Sequence, residues 1–364
     1  MSLRHVFERY IVPGLVIQAV IVGGGYATGR ELVEFFVSKG PATGLVGMFT
    51  TALLITAGAM LSFEIARLFG TFNYRSFCRT YLGRFVWLFE LGYIASLLLV
   101  LSVVSAATGE LLGESLGWPH LASSIAYMVV VAFIVFFGST ILERIISVWS
   151  LIFYATYLTL FALVVARFGH QMTAAIDFST LNVPTALWSG TTYTGYNIVV
   201  IPILIFVARN FRTRREALTA GALAGPLILL PGFALLFALS TFYPAIVDAP
   251  LPVTFILGKL GVPAFSILIK LVILGALVKT GAGLLHGFNE RIARTMADRG
   301  AQLAPAVRPL IAAVAMVIAV YAASSFGLID LIANGYRFSS YFFLVVWLLP
   351  LLTRGLWLVL RLPE

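Results

Sequence analysis

The sequence predicts an all-α integral membrane protein of about ten transmembrane helices, and three observations support this fold class. Of its 364 residues, 60% are hydrophobic and only 11% are charged, and the mean hydropathy is +1.01. Soluble domains carry about 25% charged residues. Apolar runs recur at the ~20-residue length that crosses a bilayer, with short polar gaps between them. We therefore expect one membrane domain over residues 1–364, and no nucleic-acid binding despite a formal charge of +9.

Ten apolar stretches account for the predicted spans. In chain order they cover residues 10–37, 42–66, 86–112, 121–137, 145–166, 184–208, 217–242, 262–288, 306–323 and 327–352. Cytoplasmic loops are enriched in lysine and arginine. If the N-terminus is cytoplasmic, only Lys39, Arg167 and Lys259 fall in outer loops. The sequence therefore predicts a multi-pass protein of the cell (inner or plasma) membrane with both termini in the cytoplasm.

The first span contains four glycines within seven residues, from Gly23 to Gly29. Each glycine costs a helix interior about 1 kcal/mol relative to alanine, so this stretch is predicted to unwind. Unwound backbone at that depth is tolerated only where protein, water or a ligand satisfies its N–H and C=O groups. We therefore expect the stretch to line a cavity. Its candidate substrate-binding residues are Gly23, Gly24, Gly25, Tyr26, Thr28 and Gly29.

The sixth span holds a comparable stretch, from Ser189 to Asn197, with Pro202 shortly after it. Its threonine and tyrosine content is unusual for a lipid-facing helix, and hydroxyls at this density are expected to face the protein interior or water. A second unwound segment is therefore predicted here. Its candidate substrate-binding residues are Ser189, Gly190, Thr191, Thr192, Tyr193, Tyr196 and Asn197.

The two stretches resemble each other, because Gly23-x-x-Tyr26 recurs as Gly190-x-x-Tyr193. They open two sets of five spans, over about residues 10–166 and 184–352, and a repeat with an odd number of spans inserts its second copy upside down. Paired interruptions in inverted halves point to the central site of a secondary transporter. The alternative is that these glycines only allow close helix packing, as in small-xxx-small interfaces.

A family resemblance rests on the stretch Gly23 to Phe36, GGGYATGRELVEFF, which resembles the signature of the YkvI-like bacterial membrane proteins. These proteins are a branch of the amino acid–polyamine–organocation superfamily, and Tyr193-x-x-Tyr196-Asn197 is similar to their sixth helix. The resemblance implies the five-plus-five inverted-repeat fold associated with LeuT, with the first and sixth helices discontinuous around the substrate. The Asp-Pro-Gly-Asn and Met-Pro-His stretches typical of the superfamily's metal transporters are absent from this sequence, which disfavours a divalent metal as substrate.

Ionisable residues inside the spans are candidates for coupling or gating, because a charge at mid-bilayer costs about 2.5–3.5 kcal/mol on insertion scales. Glu31 follows the first glycine stretch, and Lys279 and Thr280 lie midway along the eighth span. In the sodium-coupled relatives that the resemblance implies, hydroxyls of the eighth helix bind a sodium ion beside the first helix, and the Lys279 ammonium is expected to replace that ion. The alternatives are structural ion pairs, or a capping role for Lys279.

Four further polar residues complete the prediction. Ser102 and Ser105 lie one turn apart on the third span and are candidates to line the site, although hydroxyls that bond the preceding turn are equally common. Glu34 is expected to be a solvated rim residue. Arg337, in the tenth span, is expected to form an ion pair between helices.

The function that these features predict is secondary transport of a small amino acid or related organic solute, coupled to protons or independent of sodium. A channel, or a ligand-sensing membrane protein on the same fold, is the alternative. The sequence contains no catalytic motif, nucleotide-binding loop or metal-ligand spacing, so neither an enzyme nor a cofactor is expected. The expected partners are the solute, H+ and membrane lipid, and no oligomeric state is predicted.

Overall fold

A computed structural model describes residues 3–137, 139–297 and 307–361, and within these ranges the chain forms helices joined by short turns, without strands. By length and apolar composition, six described stretches can cross a membrane, and the shorter apolar helix His120–Val135 accompanies them. The six stretches are Pro41–Phe69, Tyr74–Leu116, Leu151–Ala174, Arg214–Ser240, Pro263–Asn289 and Pro309–Arg361. The all-α membrane class predicted from the sequence is therefore confirmed.

The described helices arrange as ten consecutive spans, numbered here in chain order. They are residues 12–39, Pro41–Phe69, Val86–Leu116, His120–Phe137, Ser139–Ala174, residues 183–210, Arg214–Ser240, Pro263–Ala297, residues 307–326 and residues 328–361. Two further helices, Tyr74–Leu82 and Pro252–Leu260, lie between spans. The second of these is largely buried, with Pro252, Val253 and Ile256 among its buried residues.

The ninth and tenth spans are separated at Gly327. Residues 309–361 form one apolar run of 53 residues, which as a single helix would be about 80 Å long, whereas the hydrocarbon core is about 30 Å thick. The backbone at Gly327 is non-helical, with φ 72° and ψ 171°. Positive φ is readily adopted only by glycine, so this residue divides the run into two spans.

The two ends of the bundle are named from the first span. The N-terminal side is the end at which residue 12 lies, and the opposite side is the other end. Because successive spans reverse direction, early residues of odd-numbered spans and late residues of even-numbered spans lie on the N-terminal side. The positive-inside pattern predicts that this side is cytoplasmic.

Small residues allow the second and seventh spans to pack closely. A Cβ atom at Gly225 would lie 1.9 Å from Thr56 Oγ1, and one at Gly221 would lie 2.5 Å from Met60 Cα. In lipid, helix association depends on such van der Waals contact, because the surrounding chains are as apolar as leucine. The seventh span, which lies beside the first, is thereby packed tightly against the second.

The first half of the first span is attached to the seventh span. Pro231 lies inside the seventh span and has no N–H, so the carbonyl of Leu227, four residues earlier, loses its usual donor. The side-chain amide of Gln18 donates to that carbonyl. Nearer the N-terminus, Arg9 pairs with Glu216. Residues 9–21 are therefore held against the seventh span at both ends.

Candidate functional site

The first span is interrupted where the sequence predicts it. Helix Val12–Ile21 ends at Val22, whose ψ is 66°, and at Gly23, whose φ and ψ are −107° and −147°. A short helix, Gly24–Thr28, then ends at Gly29 in the left-handed conformation, with φ 75°. Helix Arg30–Phe35 follows. The predicted discontinuity is confirmed, and it has two bends rather than one continuous unwound stretch.

Hydroxyl groups form hydrogen bonds with the backbone N–H and C=O groups that these bends leave without helical partners. Thr280 of the eighth span accepts a hydrogen bond from the N–H of Gly24 at 2.9 Å. Tyr157 of the fifth span donates to the carbonyl of Ala27, and Thr28 donates to the carbonyl of Gly25 at 3.0 Å. Unpaired backbone in a membrane costs several kcal/mol per group, so these hydroxyls stabilise the interrupted conformation.

The sixth span is also discontinuous, but not where the sequence predicts it. Helix Val183–Asn197 runs unbroken through the whole stretch from Ser189 to Asn197, which was expected to unwind. The interruption follows at Ile198 and Val199, which form a turn before helix Val200–Ile203; both keep right-handed helical φ and ψ, so the hydrogen bonding changes here without unwinding. Pro202 provides a physical reason for the later position, since it cannot donate to the carbonyl of Ile198.

The glycines of the sixth span serve packing, which is the alternative that the sequence left open. A Cβ at Gly190 would lie 2.2 Å from the carbonyl oxygen of Gly47 in the second span. One at Gly195 would lie 2.6 Å from the carbonyl oxygen of Ser340 in the tenth span. These contacts fix the sixth span between its neighbours. The two spans therefore use similar glycine patterns for different purposes.

A central cavity of about 340 Å³ lies between the two interrupted spans. It is lined by residues 19–25 of the first span, residues 196–204 of the sixth and residues 279–287 of the eighth, with the third and tenth spans completing its wall. Its polar lining consists of Glu31, Tyr93, Ser96, Tyr196, Asn197, Lys279, Thr280, Tyr336 and Ser339. The lining extends from the first interruption toward the N-terminal side.

Glu31 is the acidic residue of the cavity lining, and only 5% of it is exposed. Tyr196 donates a hydrogen bond of 2.6 Å to its carboxylate. The carboxylate folds back over the first interruption, because a Cβ at Gly25 would lie 1.5 Å from Glu31 Oε1. Among the ion pairs of the described residues, none includes Glu31. A single carboxylate therefore faces the cavity from the break in the first span.

Lys279 and Thr280 lie against the first interruption, as the resemblance implies. Lys279 lines the central cavity and also a second cavity of about 20 Å³, beside Gly23 and Tyr154. Nearby glycines of the eighth span accommodate large neighbours. A Cβ at Gly281 would lie 2.1 Å from Tyr127 Oη, and one at Gly275 would lie 2.0 Å from the Trp149 ring. The eighth span, which carries Lys279, is thus packed closely against the fourth and fifth spans.

Several predicted site residues lie away from the central cavity. Tyr26 lines a separate apolar pocket between the fifth and seventh spans. Gly29 packs against Val253, and Ser102 bonds the carbonyl of Leu98, the structural alternative given above. The remaining residues outside the lining are Thr28, Ser189, Gly190, Thr191, Thr192, Tyr193 and Ser105.

The predicted residues that do meet around the cavity come from three spans. They are Gly23, Gly24, Gly25, Glu31, Tyr196, Asn197, Lys279 and Thr280. Sequence reasoning missed Tyr93, Ser96, Tyr336 and Ser339 as lining residues. The signal for two of them was present, because Tyr336 and Ser339 lie three residues apart and share one helix face. Ser96 and Ser339 hydrogen-bond to each other at 2.8 Å and join the third and tenth spans.

The opposite side of the interruption is closed by charged side chains. Arg30 donates to the carbonyls of Val247 and Ala249, at 2.6 and 3.1 Å, and pairs with Glu34 at 2.8 Å. Arg337 pairs with the same carboxylate at 3.4 Å. The interhelical ion pair predicted for Arg337 is confirmed. The prediction that Glu34 is a solvated rim residue is wrong, because its side chain is only 13% exposed and lies between two arginines.

Aromatic packing adds to this closure. Tyr193 lies edge-on to Phe35, with ring centroids 5.4 Å apart, and 4.8 Å from Phe36. Beyond these rings, on the opposite side, is a pocket of about 240 Å³ that includes Ser189 and Thr192. The rings and the arginine cluster separate this pocket from the central cavity. Among the described residues, this closure lies on the opposite side of the cavity.

Known structures with the same fold are distant in sequence. No protein-family model and no curated protein matches the chain. A manganese transporter of Eremococcus coleocola, in complex with an aromatic bis-isothiourea compound, is 15% identical, with a TM-score of 0.59 over 95% of this chain and 78% of its own. A substrate-bound, outward-open Na+-coupled sialic acid symporter is 12% identical, with a TM-score of 0.59 over 96% of this chain and 78% of its own. These likenesses show a LeuT-type fold.

Proposed function

We propose that the protein is a secondary transporter that moves a small amino acid or related organic solute by alternating access around the central cavity. The observation that carries this proposal is the closure of the cavity toward one side, at a broken helix. Cavities for small molecules measure roughly 300–1,000 Å³, and the central cavity, at about 340 Å³, is at the lower end of that range. It therefore suits a small solute.

The polar groups around the cavity favour a solute that carries both charges. The Glu31 carboxylate suits an ammonium group, and the Lys279 ammonium, on another wall, suits a carboxylate. Apolar residues such as Leu97, Val199 and Leu284 provide the rest of the lining. Because the lining carries a carboxylate and an ammonium on different walls, a zwitterionic solute would fit it better than a purely apolar one.

Lys279 supports the proposal that transport is coupled to protons or independent of sodium. Its side chain lies beside the first bend, where Thr280 already accepts the hydrogen bond of the Gly24 N–H. A fixed ammonium in this position supplies the positive charge that a bound sodium ion would otherwise bring. The YkvI-like branch of the superfamily, to which the first span is similar, is the family we propose for the chain.

A divalent metal is the substrate named for one structure with this fold, and the lining favours it less. The described residues contain no group of three or more histidine, cysteine or acidic side chains placed to hold a metal ion. Mn²⁺ prefers several oxygen or nitrogen ligands, whereas Glu31 is the acidic residue of the lining. A channel or a sensor remains the second candidate from the sequence, and the closed opposite side favours a carrier.

The test is solute counterflow in proteoliposomes that contain the purified protein. Vesicles are loaded with single amino acids or organic acids, and entry of the labelled solute is followed with and without a pH gradient. A carrier gives saturable uptake that is accelerated by solute on the other side, whereas a channel gives unsaturated flux. Absence of exchange for every solute, from protein that still unfolds cooperatively on heating, would refute the proposal.

A further inference from the structure

A basic cleft opens on the N-terminal side of the bundle, apart from the central cavity. It measures about 300 Å³ and is lined by Glu8, Arg9, Arg209, Asn210 and Arg212. Three elements meet in it: the start of the chain, the end of the sixth span and the turn before the seventh span. Three arginines and one carboxylate give it a net positive charge.

The acidic groups near the cleft are already paired. Glu8 pairs with Arg4 at 2.8 Å. Glu216 pairs with Arg9, and its other oxygen accepts the backbone N–H of Arg212 at 2.8 Å. In contrast, the guanidinium groups of Arg209 and Arg212 make no hydrogen bond or ion pair within the described residues. Two guanidinium groups therefore face the cleft with their donors available.

Exposed apolar side chains lie next to the cleft residues in the chain, since Phe7 directly precedes Glu8 and Phe206 lies three residues before Arg209. Phe206 is 49% exposed and Phe7 is 50% exposed. Phe206 precedes Arg209 by three residues in the 3₁₀ helix Ile205–Asn210, and side chains three apart in such a helix lie above one another. An aromatic ring and a guanidinium are thus placed on one face at the end of a membrane span.

We propose that this cleft binds the phosphodiester headgroup of an anionic phospholipid, with the acyl chains lying along Phe206 and Phe7. Guanidinium groups bind phosphate oxygens in a bidentate manner, and basic pockets at the ends of spans are suited to anionic headgroups. A free phosphate shares this chemistry but would leave the two aromatic rings exposed to water. A phospholipid would contact both the arginine cleft, through its headgroup, and the two aromatic rings, through its acyl chains.

The consequence of binding concerns the two interrupted spans. Arg9 belongs to the segment that leads into the first span, and Arg209 ends the sixth. A headgroup held by Arg209 and Arg212, beside the Arg9–Glu216 pair, would lie where the ends of the two spans that border the central cavity meet. If the proposed transport function is correct, anionic lipid on this side will change the transport rate. The binding proposal itself does not depend on transport.

The binding test uses the purified full-length protein after delipidation, titrated with phosphatidylglycerol or phosphatidylcholine and followed by native mass spectrometry. The variant R209Q/R212Q removes both available guanidinium groups. The matched control R214Q/R215Q removes the same charge from the first turn of the seventh span, outside the cleft. Circular dichroism and thermal unfolding in phosphatidylcholine verify that each variant is folded.

We expect phosphatidylglycerol to bind the wild type and R214Q/R215Q with similar affinity, and R209Q/R212Q roughly 10- to 30-fold more weakly, at about 1 kcal/mol per arginine near an anionic headgroup. Phosphatidylcholine should bind all three proteins equally and weakly. Equal affinity in all three proteins, or an equal loss in the control, would overturn the site. Displacement of the lipid by millimolar inorganic phosphate would overturn its assignment to lipid.

Discussion

The first and sixth spans both carry a glycine- and hydroxyl-rich stretch, yet only the first unwinds within it. In the first span, Gly23 and Gly29 adopt non-helical conformations, and side chains from two other spans satisfy the released backbone. In the sixth, Gly190 and Gly195 remain helical and contact the backbones of the second and tenth spans. A glycine-rich stretch therefore marks a place where a side chain would not fit. The contacts of that stretch with neighbouring spans decide whether the helix is interrupted there.

The largest effect is expected from Gly25→Ala. The added Cβ would lie 1.5 Å from Glu31 Oε1, so the carboxylate must leave its place over the interruption. We expect counterflow to fall to background while the protein remains folded. Gly258→Ala is the matched control, since its Cβ meets nothing within 4 Å. Transport by Gly25→Ala at the wild-type rate would show that the position of Glu31 is not used.

Glu31→Gln tests the carboxylate without changing its size. The amide oxygen still accepts the hydrogen bond of Tyr196, but the negative charge facing the cavity is lost. Hydrogen bonds to charged groups are worth about 1.5–3 kcal/mol, so we expect counterflow of a solute with an ammonium group to weaken roughly 10- to 100-fold. Glu110→Gln, a carboxylate outside the cavity lining, serves as the control. Equal losses in both variants would contradict a specific role for Glu31.

Lys279→Met tests whether the charge beside the first bend couples transport to protons. We expect uptake to become independent of a pH gradient, while expression and thermal unfolding stay close to wild type. Lys270→Met is the control on the same span, because Lys270 pairs with Glu114 at 2.9 Å, away from the bend. Proton-driven uptake that is unchanged in Lys279→Met would remove this lysine from the mechanism.

Gly195→Ala tests whether a glycine of the sixth span serves helix packing rather than the cavity. A Cβ there would lie 2.6 Å from the Ser340 carbonyl oxygen, and overpacking typically costs about 1–3 kcal/mol. We expect a lower thermal unfolding midpoint, with solute affinity retained in the protein that stays folded. Loss of affinity without loss of stability would mean that this glycine serves the cavity rather than the packing.

The smallest effect is expected at the opposite side, from Arg337→Gln. Its side chain is 42% exposed, and exposed ion pairs contribute about 0.2–1 kcal/mol. Breaking its pair with Glu34 should raise the labelling rate of a cysteine placed at Ser339, in the cavity, by a membrane-impermeant thiol reagent roughly two- to fivefold. Cys78 is buried, so native background is low. Lys39→Gln, in the same opposite-side pocket, should leave labelling unchanged.

More of the fold than of the cavity lining could be predicted from the sequence. The all-α membrane class and the first interruption follow from hydropathy and glycine content alone. The sixth interruption could not be placed, because whether Gly190 and Gly195 unwind depends on Gly47 and Ser340, which are distant in sequence.

The cavity lining shows the same limit. Tyr93 and Ser96 lie on the third span, and no local signal distinguishes them from Ser102, which bonds its own helix. For Glu34, the pair with Arg30 four residues earlier could be read from the sequence, whereas the pair with Arg337, on another span, could not. Side chains that meet only through the tertiary fold leave no periodic pattern in the chain.

The attachment of Gln18 to the carbonyl freed by Pro231 limits how the first span can move. Together with Arg9 and Glu216, it fastens the first half-helix to the seventh span, whereas Arg30 fastens the second half to the loop before Pro252–Leu260. A tilt of one half cannot spread gradually along the helix. The angular change that the proposed alternating access requires is therefore predicted to fall on the backbone between Val22 and Gly29.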